Sequence, residues 1–388
     1  MLLGTWELGL GFGHIAHLAP LAQALKDRGH RMTVASRNPA TAEAAPGEPF
    51  AAVLAPPLYR PPKRKPVPTL TYAQVVADGG FADLPAALKL VRAWLDIFDR
   101  VKPEAIVAEH APMSMLAAHV ARLPVAMIGS RFMAPVAERP LLPLIPAARA
   151  TEADRIAADA AADALVREVC RRFGAPRLDS LAALLAGAQT YVTSWPELDF
   201  HGPRPGTYYG PLGGFRGAAR PDWPDAPGPR LFVYVPFEHP RGAELVEALS
   251  GMQVAVLWYA ARPPADALPP HIRYSPNPVD MPHVLGKAAL VVSRGAHGTV
   301  CQALMAGRPS LMLPDTLETM LVARQVRKNH LGAVAAPGVA ALRAMIDRLL
   351  TDAGVATAIA AARTRYGPYR PELAAGQLAD AIIGEFAL

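Results

Sequence analysis

Short apolar runs alternate with longer segments of helical period along most of the chain, as strands feeding helices would. Residues 2–8 read as a first strand. After the turn Gly9-Leu-Gly-Phe-Gly-His14, an amphipathic helix runs from His17, with Leu18, Leu21, Ala22 and Leu25 on one face and Gly29 as its stop. Residues 31–36 supply the next strand, so the chain opens as a βαβ unit with glycines at its first turn, the start of a doubly wound α/β domain. A helix at 84–101, a strand at 105–108 ending in Glu109-His110, a helix through Leu116, Ala117 and Val120, and a strand at 125–128 continue the alternation. Thr151-Glu-Ala-Asp154 opens an alanine-rich helix in the manner of a capping box, and a helix at 180–185 and a strand at 190–193 follow.

Residues 202–229 are crowded with Pro and Gly and carry no period, which makes them the linker. The expected domains are 1–212 and 230–388, joined by 213–229, with the last helix free to pack back on the first domain. Beyond the linker the βα pattern resumes and reaches residues 288–314. There a strand (290–292), a small-residue turn (293–299), a helix carrying Val300, Ala303 and Leu304, and a strand (310–313) succeed one another, with Gly307 as helix stop. Such a turn aims backbone N–H groups and the positive end of a helix dipole at one spot, which suits a phosphate. An ordinary connection in a parallel sheet carries the same glycines.

With 388 residues, 52% of them hydrophobic, the chain has material for two cores. Its two cysteines, Cys170 and Cys301, sit in separate apolar helical patterns, which reads as reduced thiols and a cytoplasmic protein. The best apolar run, 113–128, is broken by His119, Arg122 and Pro124 and is too short to span a bilayer. The net charge of +6 permits anionic partners, and no nucleic-acid-binding motif is found, so nucleic acid is not an expected partner. A proline-rich loop with Arg60, Lys63, Arg64 and Lys65 is either solvated surface or a contact for an anionic substrate or lipid headgroup, which leaves peripheral membrane contact open.

His14 and Glu109 fall at the carboxyl ends of predicted strands, where functional side chains gather in such sheets. If those strands are neighbours, the two form a base and its orienting carboxylate; otherwise they are a loop histidine and a surface glutamate. No acid ends the second strand, where a dinucleotide ribose would need one, so a dehydrogenase is not indicated.

The run Gly13-His14-Ile-Ala-His17 through Arg28-Gly29-His30 resembles the opening motif of the family 1 glycosyltransferases, which have the two-domain GT-B fold. Residues 288–314 resemble the donor-nucleotide motif of that family, and Trp195-Pro-Glu-Leu-Asp199 and Tyr209-Gly-Pro-Leu resemble its pre-linker segment. The resemblance implies two Rossmann-like doubly wound parallel-sheet domains facing a central cleft. It also implies metal-independent, inverting transfer of a sugar from a nucleoside-diphosphate sugar to a hydroxyl of an apolar small-molecule or lipid acceptor. His14 would be the general base and Glu109 would hold its imidazole. Arg294, Gly295, His297, Gly298 and Thr299 would take the diphosphate, Gln302 the ribose, and Glu318 and Thr319 the donor sugar. No cofactor is implied, the nucleotide sugar being a co-substrate. Phe132, Met133, Leu141 and Leu142 suit an apolar acceptor and equally a packing helix.

Several positions depart from the family pattern. Arg294 stands where a phosphate-binding His is usual and keeps its charge at any working pH. Ala296 replaces a glycine, which a negative φ would allow. Gln302 replaces a glutamate, Glu318-Thr319 an Asp-Gln pair, and Pro236-Phe-Glu-His239 a Gly-Ser loop, so the sugar is left open. His17 stands where Pro is common, either as a second polar group of the site or as a plain helix residue. These losses motivate a second reading, a catalytically silent protein of the same fold that binds a nucleotide or a partner. An epimerase on this fold would need a cluster of acids in the second domain, which is not found.

Overall fold

A computed structural model gives the structure of residues 1–9, 13–45, 47–62, 69–146, 149–203, 208–213 and 219–388. Lys63, Arg64 and Lys65, and residues 214–218 of the expected linker, lie outside the described residues. The chain forms two compact units, Met1–Gly213 with Pro371–Leu388, and Gly214–Arg370.

In the first unit, β1 (Leu2–Trp6), β2 (Met32–Ser36), β3 (Ala52–Leu54), β4 (Ala105–Glu109), β5 (Val125–Gly129) and β6 (Gln189–Val192) form a parallel sheet of order β3-β2-β1-β4-β5-β6. In the second, β7 (Arg230–Tyr234), β8 (Ala255–Tyr259), β9 (Ile272–Ser275), β10 (Leu290–Ser293), β11 (Ser310–Met312) and β12 (Gly332–Val334) form a parallel sheet of order β12-β11-β10-β7-β8-β9. The order reverses between β1 and β4 in one sheet and between β7 and β10 in the other. Each unit is therefore doubly wound, and each has a switch point at which the carboxyl ends of two strands open a crevice.

The central strands β1, β2, β4 and β5 are buried along their whole length because helices cover both faces of the sheet. Helix Leu84–Val101 shows how the pattern becomes structure. The Asp83 side chain accepts from the Ala86 N–H to start the helix, and Ala87, Val91, Trp94, Ile97 and Phe98 form its buried stripe. Helix Glu152–Phe173 starts on the Thr151–Asp154 capping box and stops at Gly174 in the left-handed conformation, φ 63°. The terminal helix Pro371–Phe386 belongs to the first unit and lies on helix Gly13–Lys26, where a terminal guanidinium nitrogen of Arg28 donates to Asp380 at 2.9 Å.

The first helix differs from expectation in starting at Gly13 rather than His17, and β1 ends at Trp6 rather than Leu8. The apolar period begins only after His17, so it gives no sign of a first turn whose polar His14 is itself buried. Helices Pro39–Glu43, Tyr72–Val76 and Ala353–Tyr366 and strand β3 are further additions. The first two and β3 are short, and Ala353–Tyr366 buries only Ile359, Ala362 and Tyr366, too few for a clear stripe. Cys170 and Cys301 are buried free thiols. No helix among the described residues is long and apolar enough to cross a membrane.

Candidate active site

Because β1 and β4 are neighbours in register, Thr5 opposite Ala108, the turn after β1 and the end of β4 meet at the first switch point. His14, in the first turn of helix Gly13–Lys26, places Nδ1 2.6 Å from Oε2 of Glu109, the last residue of β4. His17, one turn further along the same face, places its Nδ1 3.2 Å from Oε1 of the same carboxylate. All three side chains are buried, and Glu109 is 0% exposed, so it is no surface glutamate. Burial alone would push the Glu109 carboxyl up, but the charge of His14 and the hydrogen bonds from His14 and His17 hold it well below the usual carboxylate range. It is thus an ionised acceptor for two imidazoles.

Other groups fix the His14 ring. The Trp6 indole stacks on it with centroids 4.6 Å apart and planes 19° apart, and is itself held by donating Nε1–H to the Leu8 carbonyl at 2.7 Å. A β-carbon on Gly9 would collide with His14 Nε2, so any larger residue there must displace the ring. His110 follows Glu109 in a left-handed conformation (φ 49°), locked by the Leu8 N–H donating to its carbonyl at 3.0 Å. Its ring lies between Tyr72 and Phe132, with both nitrogens buried and without a hydrogen-bond partner among the described residues. Burial, helped by the charge of His14, pushes His110 down to about 3, so it is neutral.

The second switch point holds a different chemistry. Arg294 follows β10 and Asp315 lies just past β11. Arg294 Nε donates to Asp315 Oδ1 at 2.7 Å and a terminal nitrogen to the same oxygen at 2.6 Å. His239, in the loop after β7, brings Nε2 to 3.7 Å from the other oxygen, Oδ2. Gly295 makes the turn at φ +85° and donates its N–H to Ser293 Oγ at 3.1 Å. Ala296 has φ −59°, the negative value that lets alanine stand there. Helix His297–Met305 then begins with no side-chain N-cap and no acid in its first turn, so no acid of its own offsets the positive end of its dipole. A side chain added at Gly298 would meet nothing within 4 Å, so that turn borders open space.

The residues expected at the donor site do not all present their side chains alike. Arg294, Gly295, Gly298 and Thr299 gather at the turn, and Gln302 follows half-buried on the helix. The His297 ring is buried against Cys301, Nε2 to Sγ 3.6 Å. Glu318 is half-buried in the first turn of helix Leu317–Lys328. Thr319 is buried and its hydroxyl is spent in a capping box with Thr316, accepting also from the Asp315 N–H at 3.2 Å. Asp315, Trp6, Gly9 and His110 were not singled out beforehand. The available signal for the first was its place past an apolar strand next in order to β10.

No protein-family model matches the chain. A curated relative, the UDP-N-acetylglucosamine–N-acetylmuramyl-(pentapeptide) pyrophosphoryl-undecaprenol N-acetylglucosamine transferase of Listeria welshimeri, is 33% identical over 121 residues. That match is 29% of this chain and 32% of the relative, so the chain spans about a third of the length of the curated relative it matches. Among solved structures, the glycosyltransferase VinC in complex with DTDP aligns over 100% of this chain and 98% of its own, with TM-score 0.69 and 18% identity. The calicheamicin glycosyltransferase CalG4 aligns over 100% and 99%, with TM-score 0.69 and 20% identity. The spinosyn rhamnosyltransferase SpnG complexed with thymidine diphosphate aligns over 97% and 99%, with TM-score 0.66 and 19% identity. At such identities the likeness is one of fold: this chain has the GT-B glycosyltransferase fold.

Proposed function

We propose that the protein is an inverting glycosyltransferase that moves a sugar from a nucleoside-diphosphate sugar to a hydroxyl of an apolar acceptor. The observation that carries this reading is the buried His14–Glu109 pair, Nδ1 to Oε2 2.6 Å, at the switch point of the first unit. His14 Nε2 takes the acceptor O–H proton as the oxygen attacks the anomeric carbon. The imidazolium so formed keeps Nδ1–H on the ionised Glu109, and general-base assistance of this kind contributes on the order of 10²–10⁴-fold. As the bond from the anomeric carbon to the diphosphate oxygen breaks, negative charge grows on the leaving group. Arg294 and the first-turn N–H groups of helix His297–Met305 are the groups suited to take that charge, with no metal assigned a role.

A thymidine or uridine diphosphate is the leaving group favoured by the likeness to VinC and SpnG, whose structures hold thymidine diphosphate, and by the partial match to a UDP-N-acetylglucosamine transferase. Buried Phe132, edge-on to His110, and buried Met133 suit an apolar acceptor, and the free thiols Cys170 and Cys301 suit the cytoplasm. The test is incubation with a panel of nucleotide sugars and an acceptor library, read by mass spectrometry for a product heavier by one sugar residue. The anomeric configuration of that product is then read by NMR. A product with inverted configuration is expected. A folded protein that binds no nucleotide sugar, or a product of retained configuration, would contradict the reading.

A further inference from the structure

We propose that His17 is a positioning residue that sets the basicity of His14 through the carboxylate they share. The inference builds on the reading of His14 as the base, and the observation behind it is a carboxylate divided between two rings. Oε2 of Glu109 faces His14 Nδ1 at 2.6 Å and Oε1 faces His17 Nδ1 at 3.2 Å, with every partner buried.

An ionised carboxylate only accepts, so both Nδ1 atoms carry protons, and His14 acting as a base keeps its lone pair on Nε2. The N–H from His17 draws charge toward Oε1 and away from Oε2. His14 in its protonated form is then stabilised less than an undivided carboxylate would stabilise it, and it releases its proton at a lower pH.

Among the described residues, the neighbouring titratable groups are His110, Tyr72 and Glu7, with Arg37 beyond Glu7, its guanidinium donating to the Glu7 carbonyl at 2.6 Å. From the end of β4 comes His110, held neutral by burial. From helix Tyr72–Val76 comes Tyr72, whose phenol burial and the nearby Glu7 and Glu109 push further up, so it too is neutral. From the end of β1 come the uncharged Trp6 and Glu7. Burial pushes Glu7 up to about 8, and its carboxyl is turned to the Met113 and Ser114 N–H groups at 2.8 Å each. Glu109 is the anion hydrogen-bonded to His14, and His17 takes part of it.

The test is a long-range proton–nitrogen NMR titration of the full-length protein labelled in histidine, with assignments from His14→Asn and His17→Asn. At neutral pH both His14 and His17 are expected as Nδ1–H tautomers. In His17→Leu the His14 titration midpoint is expected to rise by about half a pH unit or more. In His17→Asn, which can return an N–H to Oε1, it is expected to fall back toward the wild-type value. A His17 found as the Nε2–H tautomer would overturn the proposal from the wild-type spectrum alone, whether or not the leucine variant folds. A midpoint that stays or falls in folded His17→Leu would overturn it as well. None of these readouts needs a donor or an acceptor, so their failure is distinguishable from failure of the transferase reading, which nucleoside diphosphate release decides.

Discussion

A β-carbon on Gly9 would collide with Nε2 and Cε1 of His14. Gly9 also has φ +85°, so conformation and space both require glycine there. Gly9→Ala is expected to cost about 1–2 kcal/mol from the left-handed backbone. It should also push the imidazole off its Glu109 bond, lowering transfer by about 10²-fold or more. Thermal unfolding and initial rates measured side by side check this. A variant that loses stability but keeps the wild-type rate would show that the ring does not need this space.

The Arg294–Asp315 pair holds the expected phosphate ligand on a carboxylate, with N···O distances of 2.7 and 2.6 Å. An incoming diphosphate competes with Asp315 for that guanidinium. Asp315→Asn removes the competing charge and is expected to tighten thymidine diphosphate binding several-fold, whereas Arg294→Ala weakens it by about tenfold or more. Isothermal titration at two salt concentrations measures both, and the asparagine variant should show the steeper salt dependence. Binding that weakens in Asp315→Asn would assign Asp315 to orienting Arg294 instead.

Much of this architecture was legible before the structure. Helix Leu84–Val101 carries a clear apolar stripe, and it falls where the period places it. The His14–Glu109 pairing required knowing that β1 lies beside β4, which a local pattern does not contain. Trp6 read as one more apolar strand residue, because stacking on His14 depends on that same topology. Asp315 lies in the loop after β11, and only the order β11-β10-β7 brings it beside Arg294 and His239. The Thr316–Thr319 capping box uses the Thr319 hydroxyl, showing how a local backbone need can claim a side chain that a motif comparison places on the sugar.

Glu7 gives a pH dependence of stability of defined sign. Burial raises its folded pKa from the ordinary 4.5 to about 8, against the two backbone N–H groups that lower it. Its contribution is therefore complete below pH 4.5 and is lost as the pH rises through about 8. Glu109 acts in the opposite sense: with a lowered folded pKa, its contribution holds above the ordinary carboxylate range and fades only in acid. Denaturant unfolding of the wild type should thus show stability falling by about a few kcal/mol between pH 5 and pH 8. Glu7→Gln turns an amide N–H toward a backbone N–H and should be less stable at pH 5 by about 1–3 kcal/mol, yet nearly flat across the same interval. An unchanged slope in that variant would remove Glu7 as its source.

In the proposed transfer, His14 at the first switch point is the base and Arg294 at the second meets the diphosphate. Release of nucleoside diphosphate from a panel of nucleotide sugars, measured for wild type, His14→Ala and Arg294→Ala of matched thermal stability, tests it most directly. Release by the wild type is expected, with a loss of about 10²–10⁴-fold in His14→Ala while thymidine diphosphate affinity is retained, and weakened affinity in Arg294→Ala. Release that is undiminished in His14→Ala, or no release from any donor by the folded wild type, would contradict it.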